Sequence, residues 1–281
     1  MNVSEHTRRW LMDGGRPVDG WRALTHGVTH EVFFHAESMQ YLKRFTQRAQ
    51  YQRERDALAA LHERLPGVPR LLGSNDALRS LLTAACPGVA VAQSAPIDAE
   101  VWAAAGCWLA GLHSLPVEGP WLTSDDMPLP VAMQHRWDRL LLEIRQLPAS
   151  AAGAGFSNAL QKLSWPNALT LRVPSHRDFE PRNWLWSKAD STLWVVDFEH
   201  FRPDAPAVDL AKVLEICGSI RSESWFRFQE GYSTSGGHWP SDGGIQAAFV
   251  HHAARTWIWG ERHGDRELIR RGLTMLERLG A

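Results

Sequence analysis

The sequence predicts an α+β protein with a small β-rich first part and a larger, mostly helical second part. Between Trp21 and Phe45, β-branched and aromatic residues form short runs separated by turn residues, which is typical of strands. From Asp98 to Leu115, and again over 131–147, apolar residues recur at helical spacing. A chain of 281 residues is long enough for one large domain or for two lobes.

Four short strands and two helices are predicted in the first part. The helices cover Glu5–Met12, which ends at a Gly-Gly pair, and Gln50–Arg64, which ends at a Pro-Gly-Val-Pro segment. The predicted strands are Val28–Phe34, Met39–Phe45, Arg70–Gly73 and Leu78–Ala84. The first part therefore reads as a small sheet interrupted by one helix.

The second part is predicted to be helical with few interruptions. We expect 149–156 to be a linker because its residues are small, and Asp209 to be the N-cap of a helix. From Glu215 to the end of the chain the pattern is helical, apart from a Gly-, Ser- and Pro-rich break over 233–244.

Charge and cysteine content limit the classes of partner. The 30 Lys and Arg residues nearly balance 31 Asp and Glu residues, so no global field favours nucleic acid or an anionic membrane. We expect a small-molecule partner and a monomer or weak dimer. The 3 cysteines are widely spaced, and no apolar signal segment or membrane span is visible, which favours a cytoplasmic location.

The strongest chemical signal is the stretch His176-Arg177-Asp178-Phe179-Glu180-Pro181-Arg182-Asn183, followed after a predicted hairpin by Asp197-Phe198-Glu199. An acid, an Asn five residues later and a second acid after an apolar strand can aim a hydroxyl and hold Mg²⁺ against a triphosphate. Asp178 would orient the attacking hydroxyl. Asn183 and Asp197 would coordinate the metal, since Mg²⁺ prefers hard oxygen ligands.

The spacing His176-x-Asp178-x-x-x-x-Asn183, with Asp197-x-Glu199 after it, resembles the motifs of the aminoglycoside phosphotransferase and choline kinase family, relatives of the protein kinases. The resemblance implies a bilobal protein-kinase-like fold, with a small β-rich N-lobe over 1–86 and a larger, mostly helical C-lobe over 87–281. It also implies Mg²⁺ as cofactor and ATP or GTP as phosphoryl donor.

The resemblance assigns further roles in the first part of the chain. Gly27 and Thr29 lie in a turn where the family places its phosphate-binding loop, although His30 stands where many relatives have polar residues. Lys43 lies in a predicted strand, and in the family this lysine contacts the α- and β-phosphates and a glutamate of the next helix. Glu54 is the candidate partner. The alternative for Glu54 is a solvated residue that pairs with a neighbouring arginine.

Two residues of the motif have open roles. Glu199 either binds the metal through a water or orients Asp197. Arg182 stands four residues after the candidate base, where tyrosine kinases have an arginine, so it is a candidate for contacting the transferred phosphoryl group. The alternative is a structural salt bridge with Glu180 or Glu199. Glu180 itself occupies a position where many protein kinases have a cation.

Three functional classes compete: a small-molecule kinase, a protein kinase and a non-catalytic nucleotide-binding module. Little chain separates Asp197 from the next predicted helix, which leaves no room for the long activation segment of a protein kinase. A non-catalytic module is disfavoured because Lys43, Asp178, Asn183 and Asp197 are all present. The sequence therefore favours a kinase of small molecules.

The C-terminal region, where the family closes its acceptor site, balances acids against arginines and contains four tryptophans: Trp225, Trp239, Trp257 and Trp259. Enzymes that act on polycationic aminoglycosides should offer an acidic pocket instead. We therefore expect a hydroxylated acceptor of modest charge with an apolar or planar part. An antibiotic other than a classical aminoglycoside is the first expectation, and a sugar, amino alcohol or nucleoside the second.

Overall fold

A computed structural model describes residues 3–26, 30–91, 96–117, 127–148, 150–162 and 171–278. The strands are β1 (Trp21–His26), β2 (His30–His35), β3 (Gln40–Phe45), β4 (Leu71–Asn75), β5 (Ser80–Ala84), β6 (Val89–Ala90), β7 (Val173–Ser175), β8 (Trp184–Ser187), β9 (Thr192–Val195) and β10 (Arg202–Asp204). The helices are α1 (Glu5–Asp13), α2 (Arg48–Leu61), α3 (Ala99–His113), α4 (Leu129–Arg145), α5 (Ala151–Lys162), α6 (Pro206–Cys217), α7 (Glu223–Thr234), α8 (Asp242–His263) and α9 (Arg266–Arg278). The predicted α+β class is confirmed.

The chain forms two compact units. Unit 1 contains Met1–Ala95 and Pro181–Phe201, and unit 2 contains Pro96–Glu180 and Arg202–Ala281. The predicted lobes are continuous stretches instead, and their boundary after residue 86 stays a prediction. Among the described residues, none of the helices has both the length and the apolar character that a membrane span requires.

Unit 1 is built on an antiparallel sheet with the strand order β1-β2-β3-β5-β4. One face of this sheet packs on the N-terminal segment, and the buried residues of that core are Val3, Leu11, Trp21, Phe33, Leu42 and Leu82. Helix α1 begins where the Ser4 side chain accepts a hydrogen bond from the backbone N–H of Thr7. Its Leu11 is fully buried in this core.

The period-two alternation of β3 separates Leu42 from Lys43. Leu42 is buried in the apolar core, so its neighbour Lys43 projects to the opposite face of the sheet, where it contacts Glu54 of α2. Glu54 belongs to the buried stripe of that helix, which comprises Gln50, Tyr51, Glu54, Ala57, Leu58 and Leu61. A charged residue within a buried stripe needs a partner, and Lys43 supplies it.

A second small sheet of unit 1 carries the end of the predicted motif. Strand β8 pairs with β9 in a hairpin and with the short β6 on its other side. Gly88 precedes β6 with a φ of 101°, and a Cβ there would lie 2.6 Å from the backbone carbonyl carbon of Trp186. Only glycine fits both the left-handed conformation and this close approach.

Unit 2 is mostly helical and is packed closely enough to require small residues. A Cβ on Gly106 of α3 would lie 2.0 Å from the carbonyl oxygen of Phe228, and one on Gly231 of α7 would lie 2.0 Å from that of Ala103. The backbones of α3 and α7 therefore touch at these two glycines. The predicted helix over 98–115 corresponds to α3, which ends at His113.

Two predictions for the second part are wrong. Most of the predicted linker is helical, because α5 begins at Ala151 and buries Phe156, Ala159 and Leu160 at helical spacing. Asp209 is not an N-cap, since α6 begins at Pro206 after the N-cap residue Ala205. Asp209 lies in the first turn and is fully buried. Instead of capping its own helix, it accepts hydrogen bonds from the loop that contains Asp178.

Glu215 links α6 to two other helices of unit 2. Its carboxylate contacts His252 of α8 at 2.7 Å and accepts a hydrogen bond from Nη2 of Arg271 of α9 at 2.9 Å. Burial raises the pKa of Glu215, but the hydrogen bonds from His252 and Arg271 outweigh burial and lower the pKa to about 2. The ionised carboxylate therefore stabilises the packing of these three helices.

Replacing Glu215 with Gln should destabilise the fold in a pH-dependent way. The folded-state pKa lies below the ordinary value of 4.5, so the stabilising contribution is complete above that value and is lost as the pH falls towards about 2. At neutral pH we expect Glu215→Gln to lower the free energy of unfolding by on the order of 3 kcal/mol. Urea unfolding of both proteins at neutral pH and near pH 3 measures the difference at each pH.

The matched control is Glu223→Gln on α7, because the Glu223 side chain is 78% exposed. We expect this variant to unfold like the unchanged protein at both pH values. A destabilisation by Glu215→Gln that stays the same from neutral to acidic pH would contradict the ion-pair account.

Candidate functional site

Lys43 lies at the centre of a group of acidic side chains in unit 1. Its Nζ is 2.7 Å from Oε2 of Glu54, 2.6 Å from Oδ1 of Asp197 and 3.7 Å from Oε2 of Glu199. The lysine side chain is 12% exposed, and Nζ also lies 4.7 Å from the ring centroid of Phe45. The structure therefore brings together four residues that the sequence singled out: Lys43, Glu54, Asp197 and Glu199.

The electrostatics of this group favour a protonated lysine. Burial lowers the pKa of Lys43, but the carboxylates of Glu54, Asp197 and Glu199 outweigh burial and raise the pKa above its ordinary value. Burial raises the pKa of Glu54, and the nearby Asp197 adds to this increase while Lys43 opposes it. Glu54 bonds to Lys43, whereas its neighbour Arg53 bonds to Glu199 and its neighbour Arg55 bonds to Asp56. Among the described residues, the alternative pairing of Glu54 with a neighbouring arginine is therefore not seen.

Glu199 is held by three residues that sequence reasoning did not assign to the site. Its Oε2 lies 3.1 Å from Nδ1 of His30, and its Oε1 accepts a 3.4 Å hydrogen bond from Nε2 of Gln50. Its backbone carbonyl accepts a 2.7 Å hydrogen bond from Nε of Arg53. In the sequence, His30 is only a departure from the polar residues that many relatives have at the phosphate loop. Its signal is a polar residue at the start of β2, opposite Phe45 of β3.

The β8–β9 hairpin positions Asn183 and Asp197. Asn183 ends a short 3₁₀ turn, Pro181–Asn183, and its backbone carbonyl accepts a 3.0 Å hydrogen bond from the N–H of Val196. Asp197 follows directly and has a φ of 71°. A left-handed conformation is uncommon for a residue with a side chain and often marks a functional position. The bend turns the chain after β9, and the Asp197 side chain meets Lys43.

The acidic group is suitable for a divalent cation. One ligand oxygen each from Glu54, Asp197 and Glu199 lies within 4.8 Å of the others. These three carboxylates share Lys43, so a dication would balance the excess negative charge. The predicted metal set contains Asn183 in place of Glu54. Because Glu54 lies 2.7 Å from Lys43, it suits the role of lysine partner better than that of metal ligand.

The loop that contains Asp178 belongs to unit 2 and is held by α6. Asp209 accepts hydrogen bonds from the N–H of His176 at 3.1 Å and from that of Arg177 at 2.5 Å. These bonds hold Arg177 at a φ of 65°. Nδ1 of His176 accepts a 3.2 Å hydrogen bond from the N–H of Asp178, which braces the loop. The Asp178 side chain accepts a 2.5 Å hydrogen bond from Lys212 of α6.

His113, the last residue of α3, also contacts Asp209. Its ring nitrogens lie 2.8 Å from the Tyr232 hydroxyl and 3.1 Å from the Asp209 carboxylate. The residue is structural, and it supports Asp209 and, through it, the loop.

Three other predicted residues are placed less fully. Arg182 is exposed in the 3₁₀ turn of unit 1. Gly27 and Thr29 lie outside the described residues, so their predicted contact with phosphate stays a prediction.

The four C-terminal tryptophans divide into two groups. Trp225 and Trp239 pack edge to face, with ring centroids 5.4 Å apart, and both line a cavity of 620 Å³ in unit 2. Trp257 is buried in the core against Phe156, and Trp259 is 52% exposed. Only the first pair meets the expectation of an aromatic pocket.

Comparisons with known proteins identify the family and the fold of this chain. The sequence matches the model of the Phosphotransferase enzyme family (APH) over residues 20–244. A comparison with curated proteins gives no match. The structure is similar to the GDP and kanamycin complex of APH(2")-IIia, with a TM-score of 0.75 and 16% identity over 99% of each chain.

Two further solved structures have the same fold. Macrolide 2'-phosphotransferase MphH from Brachybacterium faecium gives a TM-score of 0.68 and 19% identity over 97% of each chain. The ethanolamine kinase of Plasmodium vivax gives a TM-score of 0.66 and 12% identity, covering 98% of this chain and 87% of the other. The predicted protein-kinase-like fold is confirmed.

The family match includes Lys43, Glu54, Asp178, Asn183, Asp197 and Glu199. The matched residues also cover most of the chain. This chain therefore belongs to the Phosphotransferase enzyme family and is a kinase of small molecules.

Proposed function

We propose that this chain transfers the γ-phosphoryl group of ATP or GTP to a hydroxyl of a small molecule, and that the acceptor is an antibiotic. The observation that carries the proposal is the buried Lys43 within 2.7 Å of both Glu54 and Asp197. A protonated lysine held beside acids suits a polyphosphate donor, since it can bind a phosphate oxygen in place of one carboxylate.

Unit 1 would hold the donor nucleotide. Lys43 binds the α- and β-phosphates, and Glu54 fixes the direction of the lysine side chain. The backbone of the turn with Gly27 and Thr29 contacts the phosphates. Glu54 suits its role because it lies in the buried stripe of α2, where the surrounding residues restrict the conformations of its side chain.

Asp197 and Asn183 would hold Mg²⁺, and Glu199 would bind it through a water or orient Asp197. The contacts of Glu199 with His30 and Gln50 favour the orienting role, because they already engage both carboxylate oxygens. When bound, the ion would neutralise negative charge that develops on the phosphate oxygens.

Unit 2 would supply the base. Asp178 accepts the proton of the acceptor hydroxyl while the hydroxyl oxygen forms its bond to the γ-phosphorus. The bond from that phosphorus to the β–γ bridging oxygen breaks, and the nucleoside diphosphate leaves with the electron pair. His176 and Asp209 keep the loop in position for this step.

The cavity of 620 Å³ in unit 2 supports the proposed class of acceptor. Its apolar lining includes Trp225, Trp239 and Phe249, whereas its charged lining consists of one acid, Asp242, and one arginine, Arg278. This balance gives a polycation little advantage, and aromatic walls favour a planar or apolar group. A sugar, amino alcohol or nucleoside is the second candidate acceptor, because the polar lining also suits hydroxyl groups.

We also propose a cytoplasmic enzyme that acts as a monomer or weak dimer, without a nucleic-acid or membrane partner. The balanced charge supports this proposal.

The cysteines Cys86 and Cys217 are not part of the proposed chemistry. Burial raises the pKa of both thiols to about 12, so neither is a reactive thiolate at neutral pH.

Replacing Asp178 with Asn should remove the proton acceptor and leave nucleotide binding intact. We expect kcat to fall by about 10²–10⁴-fold with little change in nucleotide Kd.

Replacing Asp197 with Ala should also weaken nucleotide binding in the presence of Mg²⁺. Steady-state kinetics and calorimetric titration measure the two effects. Asp190→Asn is the control, because Asp190 is exposed in the β8–β9 turn. Near-normal turnover in both site variants would show that the assignment is wrong.

Replacing Arg182 with Lys tests whether this arginine contacts the transferred phosphoryl group. A planar guanidinium that spreads charge in the transition state is poorly replaced by an ammonium, so we expect kcat to fall by about 10-fold or more. Arg270→Lys on the exposed face of α9 is the matched control, since that side chain is 68% exposed. An unchanged kcat would support the structural alternative for Arg182.

A phosphate-transfer screen tests the acceptor class. We expect mass gain of one phosphate on a macrolide, a nucleoside or peptide antibiotic, or a sugar- or choline-like metabolite, in preference to a polycationic aminoglycoside.

Replacing Trp239 with Ala should raise the acceptor KM by roughly 10-fold or more, because it removes one aromatic wall of the cavity. Trp259→Ala should leave it unchanged, because Trp259 stacks on His263 and does not line the cavity. Preferred turnover of a classical aminoglycoside would contradict the pocket argument.

A further inference from the structure

Lys212 contacts the candidate base from outside its loop. Its Nζ lies 2.5 Å from Oδ1 of Asp178 and 3.6 Å from Oε1 of Glu180. All three side chains are largely enclosed, with exposures of 19% for the lysine, 8% for Asp178 and 4% for Glu180. A lysine between two enclosed acids makes a stronger contact than a surface ion pair, because water screens it less.

Helix α6 holds this loop at two successive turns. Asp209 in the first turn accepts hydrogen bonds from the backbone of His176 and Arg177. Lys212 follows three residues later on the same side of the helix and reaches the side chain of Asp178. The backbone and the carboxylate of the loop are therefore fixed by one rigid element.

The arginine that precedes Asp178 in the loop has a different partner. Arg177 makes a 2.8 Å ion pair with the buried Asp204. The residue two positions after Asp178 is the acid Glu180, whose other oxygen lies 3.8 Å from Arg271. Two neighbouring carboxylates repel each other, and a cation between them offsets that repulsion. Lys212 occupies this position.

We propose that Lys212 is a positioning residue of the transfer reaction: it holds the Asp178 carboxylate in the orientation that accepts the hydroxyl proton. The inference rests on the proposed function, in which Asp178 is the base. Lys212 acts through Asp178, so its loss should lower the rate of transfer without changing how the donor nucleotide binds.

The experiment compares Lys212→Met, Lys212→Gln and Lys212→Arg in the full-length protein. The probes are MgATP with the best acceptor of the screen described above and, as an acceptor-independent reaction, MgATP hydrolysis. We expect both uncharged variants to lower kcat by roughly 10–100-fold with nucleotide Kd unchanged, since part of the base contribution is lost. Lys212→Arg should retain most of kcat because it keeps the positive charge. Lys188→Met, at an exposed lysine of the β8–β9 turn, should behave like the unchanged protein.

A double-mutant cycle separates positioning from a merely structural role. If Lys212 acts through Asp178, then Lys212→Gln should have little further effect on kcat once Asp178 has been replaced with Asn. Thermal unfolding of each variant checks that the fold is retained. The inference is overturned if the uncharged variants keep normal kcat, or if Lys212→Gln slows the Asp178→Asn enzyme by the same factor as the unchanged enzyme.

Failure of the inference can be distinguished from failure of the proposed function. If Asp178→Asn abolishes transfer but the Lys212 variants remain fully active, only the positioning role is wrong. If Asp178→Asn itself is fully active, the proposed base is wrong and the role of Lys212 falls with it.

Discussion

The contact between Lys43 and the acids around it is the constraint on which the arrangement of unit 1 depends. A lysine that is 12% exposed must have partners, because an unpaired buried charge costs several kcal/mol. Its partners come from α2 and from the segment after β9, which are far apart in sequence. The ammonium group of Lys43 therefore connects the sheet, α2 and the β8–β9 hairpin.

Helix α6 has a comparable organising role in unit 2. Asp209 and Lys212 hold the loop before the 3₁₀ turn, and Glu215 contacts α8 and α9 one turn later. Three polar residues at successive turns thus connect the loop to the C-terminal helices. Because α6 is largely buried, these residues cannot be satisfied by water and depend on their protein partners.

Sequence reasoning found the residues whose spacing reflects chemistry and missed those whose role is set by packing. Lys43, Asp178, Asn183 and Asp197 follow from motif spacing and the resemblance it supports. Gln50 and Lys212 carry no local signal, and the signal of His30 is only a polar residue at the start of β2, because all three contact site residues that are distant in sequence.

Two errors in the predicted elements have a similar origin. Small residues over 149–156 predict a linker, yet alanine favours helices, and Phe156 packs α5 against Trp257. Asp209 has the residue type of an N-cap, but its carboxylate bonds to a loop instead of its own helix. In both cases a tertiary contact outweighs the local pattern.

The charge pattern explains why the acidic group of unit 1 suits a cationic partner. Glu54, Asp197 and Glu199 share Lys43, so the acids outnumber the lysine at their centre. In unit 2, Asp178 and Glu180 share Lys212, and Arg271 also lies 3.8 Å from Glu180. A polyphosphate without a cation would be repelled by the acids of unit 1, whereas one that arrives with a divalent cation would be attracted. The excess of acids therefore favours the cation-bound nucleotide over the free nucleotide as the donor proposed for unit 1.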